Sequence, residues 1–229
     1  MQRLDFAYAR ARLQARHSGL PDARLWRQLE ASHTAAHYLT LARTGPLGPW
    51  LAGLSEATEV PRIEAHLRAR WQAYVAEVAS WQPARWQAAT RWFGTLPGLP
   101  LIEQPLRADR AAGWLQAWQR LAGDAPAVAA LMPDVAVKLM PRLPGAMVAR
   151  QAKGGPIGAV AGRSARAETE RQALLKLFRR HAASPVGAWA HLALVALNLE
   201  RLRGGLVARL LLGPPQGAGA STVPGAQAA

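Results

Sequence analysis

Apolar residues recur at intervals of three and four positions along most of this 229-residue chain. The clearest case lies between Val60 and Trp81. Its apolar stripe consists of Ile63, Leu67, Trp71, Tyr74, Val75 and Val78. This spacing matches the period of an α-helix, and Pro61 suits a first helical turn. Because no stretch shows the alternation of period two or the turn dipeptides of hairpins, the pattern predicts an all-α, multi-helical fold.

Proline and glycine divide the remaining helical patterns into separate segments. Further helices are predicted at 4–17, from Asp22, at 34–42, from Pro83, from Leu106, at 164–182 and at 185–212. Ser164 and Ser184 each precede such a segment and suit helix caps. The apolar window 186–199 contains His191 and Asn198 and is shorter than the ~20 residues that span a bilayer, which indicates a buried helix.

The distribution of glycine suggests how the helices are organised. We expect an N-terminal helical lobe at 1–151, a Gly-rich connector at 152–163 and a C-terminal helical segment at 164–212. Residues 213–229 are rich in Gly, Pro, Ala and Ser, which is typical of a disordered tail. The helices are therefore expected to form a bundle of one or two packed lobes.

The formal net charge of +14 favours a polyanionic neighbour, such as nucleic acid, acidic lipid headgroups or an acidic protein face. The basic residues are spread from Arg3 to Arg209, however, without a block of five or six in a row. The chain has no cysteine, and its charged N-terminus lacks the apolar run of a signal peptide, so a cytoplasmic location is expected.

Patterns that carry catalysis are weak in this sequence, and we expect no enzyme, cofactor or metal. His33 and His37 form the only histidine pair at helical spacing, but Thr34 stands where a zincin has Glu. The segment 153–158 places its lysine before the glycines, the reverse of a phosphate-binding loop. Five tryptophans fall on apolar stripes, where core packing is favoured over base stacking: Trp71, Trp86, Trp92, Trp114 and Trp118. An enzyme site assembled from Glu64, His66 and His181 remains a third, weaker alternative.

Several short motifs resemble one family. Residues 8–20, which open Tyr-Ala-Arg-Ala-Arg-Leu, resemble the first helix of the C/d subunits of V/A-type rotary ATPases. Leu41 and Thr44 are similar to its L-x-x-T pattern, and 63–67 to its I-E-x-x-L pattern. The segment 199–203, followed by Arg209, is similar to its last long helix. Pro46 departs from the aromatic residue usual after the Thr, and the chain is shorter than typical members.

The resemblance implies a funnel-shaped helical protein, peripheral on the cytoplasmic face of the membrane. Such a subunit receives the rotor shaft, sits on the membrane ring of c-type subunits and has no active site, although it serves proton or other ion transport. Five partner contacts are expected by resemblance: Tyr8, Arg12, Arg16, Glu200 and Arg203. Acidic lipid headgroups are additional candidate partners. The alternative is a basic helical nucleic-acid-binding protein, which is less favoured because no compact basic recognition helix stands out.

Overall fold

The computed structural model describes residues 6–95 and 160–212 of the chain, and these are helical with no strand among them. The predicted all-α, multi-helical fold is confirmed. In chain order the α-helices are α1 (Ala7–Ser18), α2 (Ala23–Ala31), α3 (Ala35–Arg43), α4 (Gly48–Leu51), α5 (Val60–Ser80), α6 (Ala84–Arg91), α7 (Val160–Arg180) and α8 (Pro185–Leu212). A 3-10 turn, Trp92–Thr95, follows α6.

Side-chain caps fix the starts of two early helices. The Asp22 carboxylate accepts a hydrogen bond from the Leu25 amide at 2.7 Å, and the Thr34 hydroxyl accepts one from the His37 amide at 3.2 Å. Each cap satisfies an amide that the first helical turn leaves without a backbone partner. The predicted starts of α2 and α3 therefore agree with the structure to within one residue.

The apolar stripe of α5 is buried as its spacing predicts. Ile63 and Leu67 have no exposed surface, and Trp71, Val75 and Val78 are nearly as well covered. Its opposite side carries the exposed arginines Arg62, Arg68 and Arg70. One face of α5 therefore belongs to the core and the other meets solvent.

Helix α8 lies at the centre of the described structure. It runs for 28 residues, contacts α1, α3, α5, α6 and α7, and is buried along most of its first half. This confirms the prediction that the apolar window 186–199 forms a buried helix. Within 6–95 and 160–212, no helix is both long and apolar enough to cross a membrane.

The C-terminal helices share one hydrophobic core with the N-terminal ones. Leu174 of α7 and Leu199 of α8 belong to the same buried cluster as Leu13 of α1, Leu39 of α3 and Leu67 of α5. The 164–212 segment therefore packs directly on the helices of the predicted N-terminal lobe.

Two local predictions differ from the structure. Helix α7 begins at Val160, so residues 160–163 of the predicted connector are helical and Ser164 lies inside the helix instead of capping it. A single glycine in a helix costs only ~1 kcal/mol, so Gly162 is tolerated there. The Ser184 hydroxyl donates to the His181 carbonyl at 3.1 Å and does not cap α8. Residues 152–159, the helix predicted from Leu106 and the 213–229 tail lie outside the described residues.

Alanine substitutions at two adjacent glycines of α8 should change the stability of the protein in opposite directions. A Cβ at Gly205 would lie 2.5 Å from the Tyr38 hydroxyl oxygen, whereas one at Gly204 would meet nothing within 4 Å. Tyr38 is buried and donates to the Leu202 carbonyl, so it has little room to move. We expect Gly205→Ala to lower the free energy of unfolding, measured in urea, by about 1–2 kcal/mol. Gly204→Ala should raise it by about 0.5–1 kcal/mol. Equal effects at both positions would contradict the close contact between α3 and α8.

Candidate interaction surface

On the outer side of α1, an exposed tyrosine ring lies next to an arginine guanidinium. Tyr8 is 57% exposed, and the Arg12 guanidinium carbon lies 5.1 Å from the centre of its ring. The same guanidinium lies 5.6 Å from the ring of Trp81, which is buried at the end of α5. Cation–π attraction to both rings orders Arg12 and supports Tyr8. We call this pair, Tyr8 and Arg12, the α1 surface.

One turn further along α1, Arg16 connects the helix to α5. Its Nη2 lies 2.9 Å from the Glu77 Oε1, and both side chains keep more than a third of their surface exposed. An exposed pair of this kind contributes at most ~1 kcal/mol to stability. Arg16 therefore remains accessible to a partner.

Arg203 is engaged inside the molecule. It pairs with Glu64 of α5, with its Nε donating to Oε1 at 2.8 Å, and the two side chains are only 13% and 18% exposed. At this low exposure, removal of either partner would leave the other charge largely buried and unpaired, so the two residues depend on each other at the contact of α8 with α5. Arg203 therefore lies at a helix–helix contact rather than on an open surface.

Glu200 is also not positioned as an open surface contact. Its Oε1 is shielded from solvent and has no hydrogen-bond partner among the described residues. Burial raises the pKa of this carboxyl to about 8, and the nearby positive charge of Arg203 opposes only part of that rise. Because burial disfavours the charged form, the neutral carboxyl of Glu200 is favoured at neutral pH.

A buried aromatic cluster joins α1, α5, α7 and α8. The ring of His17 stacks on Phe178 at 4.1 Å, and His191 Nε2 lies 2.8 Å from the Tyr74 hydroxyl. Burial lowers the pKa of His191 to about 3, with a smaller effect from His17, so its ring is neutral in the folded protein. No sequence pattern predicted this cluster, because its members come from four separate helices.

The residues of the weaker enzyme alternative have structural partners. Glu64 pairs with Arg203, and the His66 Nε2 donates to the Trp50 carbonyl at 3.1 Å. In the described ranges, no group of three or more His, Asp or Glu side chains could hold a metal ion. Glu64 and His66 thus each make a contact with another helix in the described structure.

The five sequence-predicted contact residues separate into two groups. Tyr8, Arg12 and Arg16 lie together on the exposed side of α1, while Glu200 and Arg203 lie at the contact of α8 with the rest of the bundle. Comparisons with protein-family models, curated proteins and solved structures find no match to this chain.

Proposed function

We propose that this chain is a non-catalytic connector subunit in the central stalk of a V/A-type ion-translocating rotary ATPase, linking the rotor shaft to the membrane c-type ring. One observation carries the proposal. The segments that resemble the family are far apart in sequence, yet the Arg203–Glu64 pair joins the segment 199–203 to the segment 63–67. The first segment, in α1, contacts α8 and pairs with α5 through Arg16 and Glu77.

The helical architecture suits a part that transmits torque through contacts. At 1.5 Å per residue, α8 is about 42 Å long. Its middle and start are fastened to other helices by polar contacts within the core, including the Trp189 indole N–H, which donates to the Thr90 hydroxyl at 2.9 Å. A close-packed interior resists compression and transmits strain between its surfaces. These properties support a mechanical role.

The α1 surface is the part of this protein that we assign to partner binding. An ordered tyrosine beside an arginine is typical of residues that dominate protein–protein interfaces. The net charge of +14 adds attraction to acidic loops of the ring and to acidic headgroups on the cytoplasmic face of the membrane. We place the protein at that face, peripheral to the bilayer.

The proposal is tested by purifying the tagged full-length chain from its native membranes and identifying its partners by mass spectrometry. We expect head, shaft and ring subunits of a rotary ATPase in stoichiometric amounts. Recovery of the chain without any of these subunits would overturn the proposal.

Substitutions on the α1 surface should weaken this assembly without unfolding the protein. We expect Tyr8→Ala and Arg12→Ala each to lower the recovery of partner subunits about fivefold, because interface tyrosines and arginines commonly contribute 1 kcal/mol or more. The melting temperature should change little, since both side chains are exposed. Arg68→Ala, at an exposed position on α5, is the matched control and should leave recovery unchanged. Equal recovery with all three variants would exclude the α1 surface as the contact.

The alternative of nucleic-acid binding rests on the net charge and on the exposed arginines of α5: Arg62, Arg68 and Arg70. Trp71, Trp86 and Trp92 are buried, as their apolar spacing predicted, so they are not available to stack on bases. The alternative would gain support if the purified chain retained oligonucleotides and lost them steeply as salt is raised.

A further inference from the structure

A cavity of about 550 Å³ opens between α1, α5, α8 and the turns that precede α2 and form α4. Its walls are largely apolar, from alanine, leucine, valine and proline side chains. Two aromatic rings belong to the lining: Trp50 and Tyr74 meet edge to face with ring centres 5.4 Å apart. The volume falls within the ~300–1,000 Å³ typical of small-molecule sites.

One polar side chain of the lining is available to a ligand. Asn198 of α8 lines the cavity, and the residue is 8% exposed. Its amide atoms are not among the described atoms that are shielded from solvent without a partner, so they face the solvent of the cavity. A ligand in the cavity would form hydrogen bonds with this amide by displacing water.

The charged residues around the cavity indicate the charge of the ligand that it would bind. Arg16, Arg70 and Glu77 are the lining residues with ionised side chains, so their formal sum is +1. Glu77 is already paired with Arg16. Arg70 holds the Pro49 carbonyl with Nε at 3.1 Å and with Nη2, which leaves its Nη1 donors without a partner in the described part of the chain. An anionic group would therefore find a fixed guanidinium with donors to spare.

From these features we propose that the cavity binds a small organic monoanion with a flat apolar body. The anionic group bonds to the Arg70 guanidinium, the body lies against Trp50 and Tyr74, and the Asn198 amide supplies a further hydrogen bond. Aromatic side chains with a few convergent polar groups are the usual lining of such sites. This inference rests on the cavity alone and does not depend on the connector role.

Two dyes test the proposal by fluorescence titration of the full-length protein. The probe is 1-anilinonaphthalene-8-sulfonate, and N-phenyl-1-naphthylamine is the neutral analogue that lacks only the sulfonate. We expect saturable one-to-one binding of the anionic dye, at least tenfold tighter than that of the neutral dye. The absence of saturable binding, or equal affinity for both dyes, would overturn the proposal.

Variants show whether the dye occupies this cavity. We expect Ala73→Trp, which fills the cavity from its rim, to weaken binding of the anionic dye at least tenfold. Asn198→Leu should weaken it about fivefold, and Arg70→Gln should abolish the preference for the anion. Arg62→Gln, on the same helix but outside the lining, is the control and should leave both affinities unchanged. Unchanged binding to the Ala73 and Asn198 variants would place the dye elsewhere and refute the site.

Discussion

Replacing Arg209 with methionine is expected to lower the free energy of unfolding by about 3 kcal/mol. Helix α2 ends at Ala31, and its last carbonyls have no partner within the helix. The Arg209 guanidinium supplies donors to three carbonyls there, those of Leu29 at 2.9 Å, Glu30 at 3.0 Å and Ser32 at 2.9 Å. Hydrogen bonds to a charged donor contribute roughly 1.5–3 kcal/mol each. The expected loss lies at the low end for the set, because the Leu29 carbonyl also accepts from the Ser32 amide and hydroxyl.

The measurement is urea unfolding of matched variants. Methionine keeps most of the apolar stem of Arg209, so the loss reports mainly on the guanidinium. Arg201→Met on the same helix is the control: Arg201 pairs with exposed Glu30 and lies over the ring of Trp26, and we expect a loss of at most about 1 kcal/mol. Arg209→Lys should be intermediate in stability between wild type and Arg209→Met. A lysine ammonium lacks the planar, forked set of donors with which the arginine guanidinium reaches three carbonyls. If the two methionine variants lost the same stability, the bonds from Arg209 to the end of α2 would contribute no more than an exposed ion pair.

The parts of the fold that depend on local sequence could be predicted. The spacing of Ile63, Leu67 and Trp71 identified the buried face of α5, because a helix repeats its surface every three to four residues. Asp22 marked the start of α2 for an equally local reason, since its carboxylate bonds an amide three residues ahead. Such features are set within one or two helical turns.

The parts that depend on distant contacts could not be predicted. Arg209 and Leu29 are 180 positions apart, and Tyr74 and His191 are 117 apart, so no periodicity within one helix connects them. Glu200 and Arg203 were expected to meet partners by resemblance of the segment 199–203 to the family's last long helix. In the structure Arg203 instead pairs with Glu64 of α5, and the Glu200 Oε1 is shielded from solvent. The start of α7 at Val160 shows that local glycine content alone did not locate the first residue of this helix.

Because Glu200 is largely shielded from solvent, a variant with glutamine at this position should be more stable than the wild-type protein at neutral pH. We expect Glu200→Gln to raise the free energy of unfolding by about 3 kcal/mol at pH 8, because glutamine has a similar shape and needs no charge in the interior. Burial raises the folded-state pKa of Glu200 from 4.5 to about 8. Each unit of difference between the folded and unfolded pKa is worth ~1.4 kcal/mol, which sets an upper limit of about 5 kcal/mol. The expected gain is smaller because the glutamine amide must also be buried.

The pH dependence separates ionisation from a simple change in packing. Above pH 4.5 the unfolded chain releases the Glu200 proton, while the folded protein keeps it until about pH 8, so the wild-type protein loses stability across this window. The glutamine variant has no such loss. The stability difference should therefore be smallest near pH 4.5, where the cost of burying the glutamine amide is not offset, and should grow steadily to pH 8. The contribution of His191 cancels because both proteins contain it. Glu56→Gln, at an exposed position, should show no difference at any pH. A gain for Glu200→Gln that was constant across the window would mean that the carboxyl ionises as easily in the folded state as in the unfolded one.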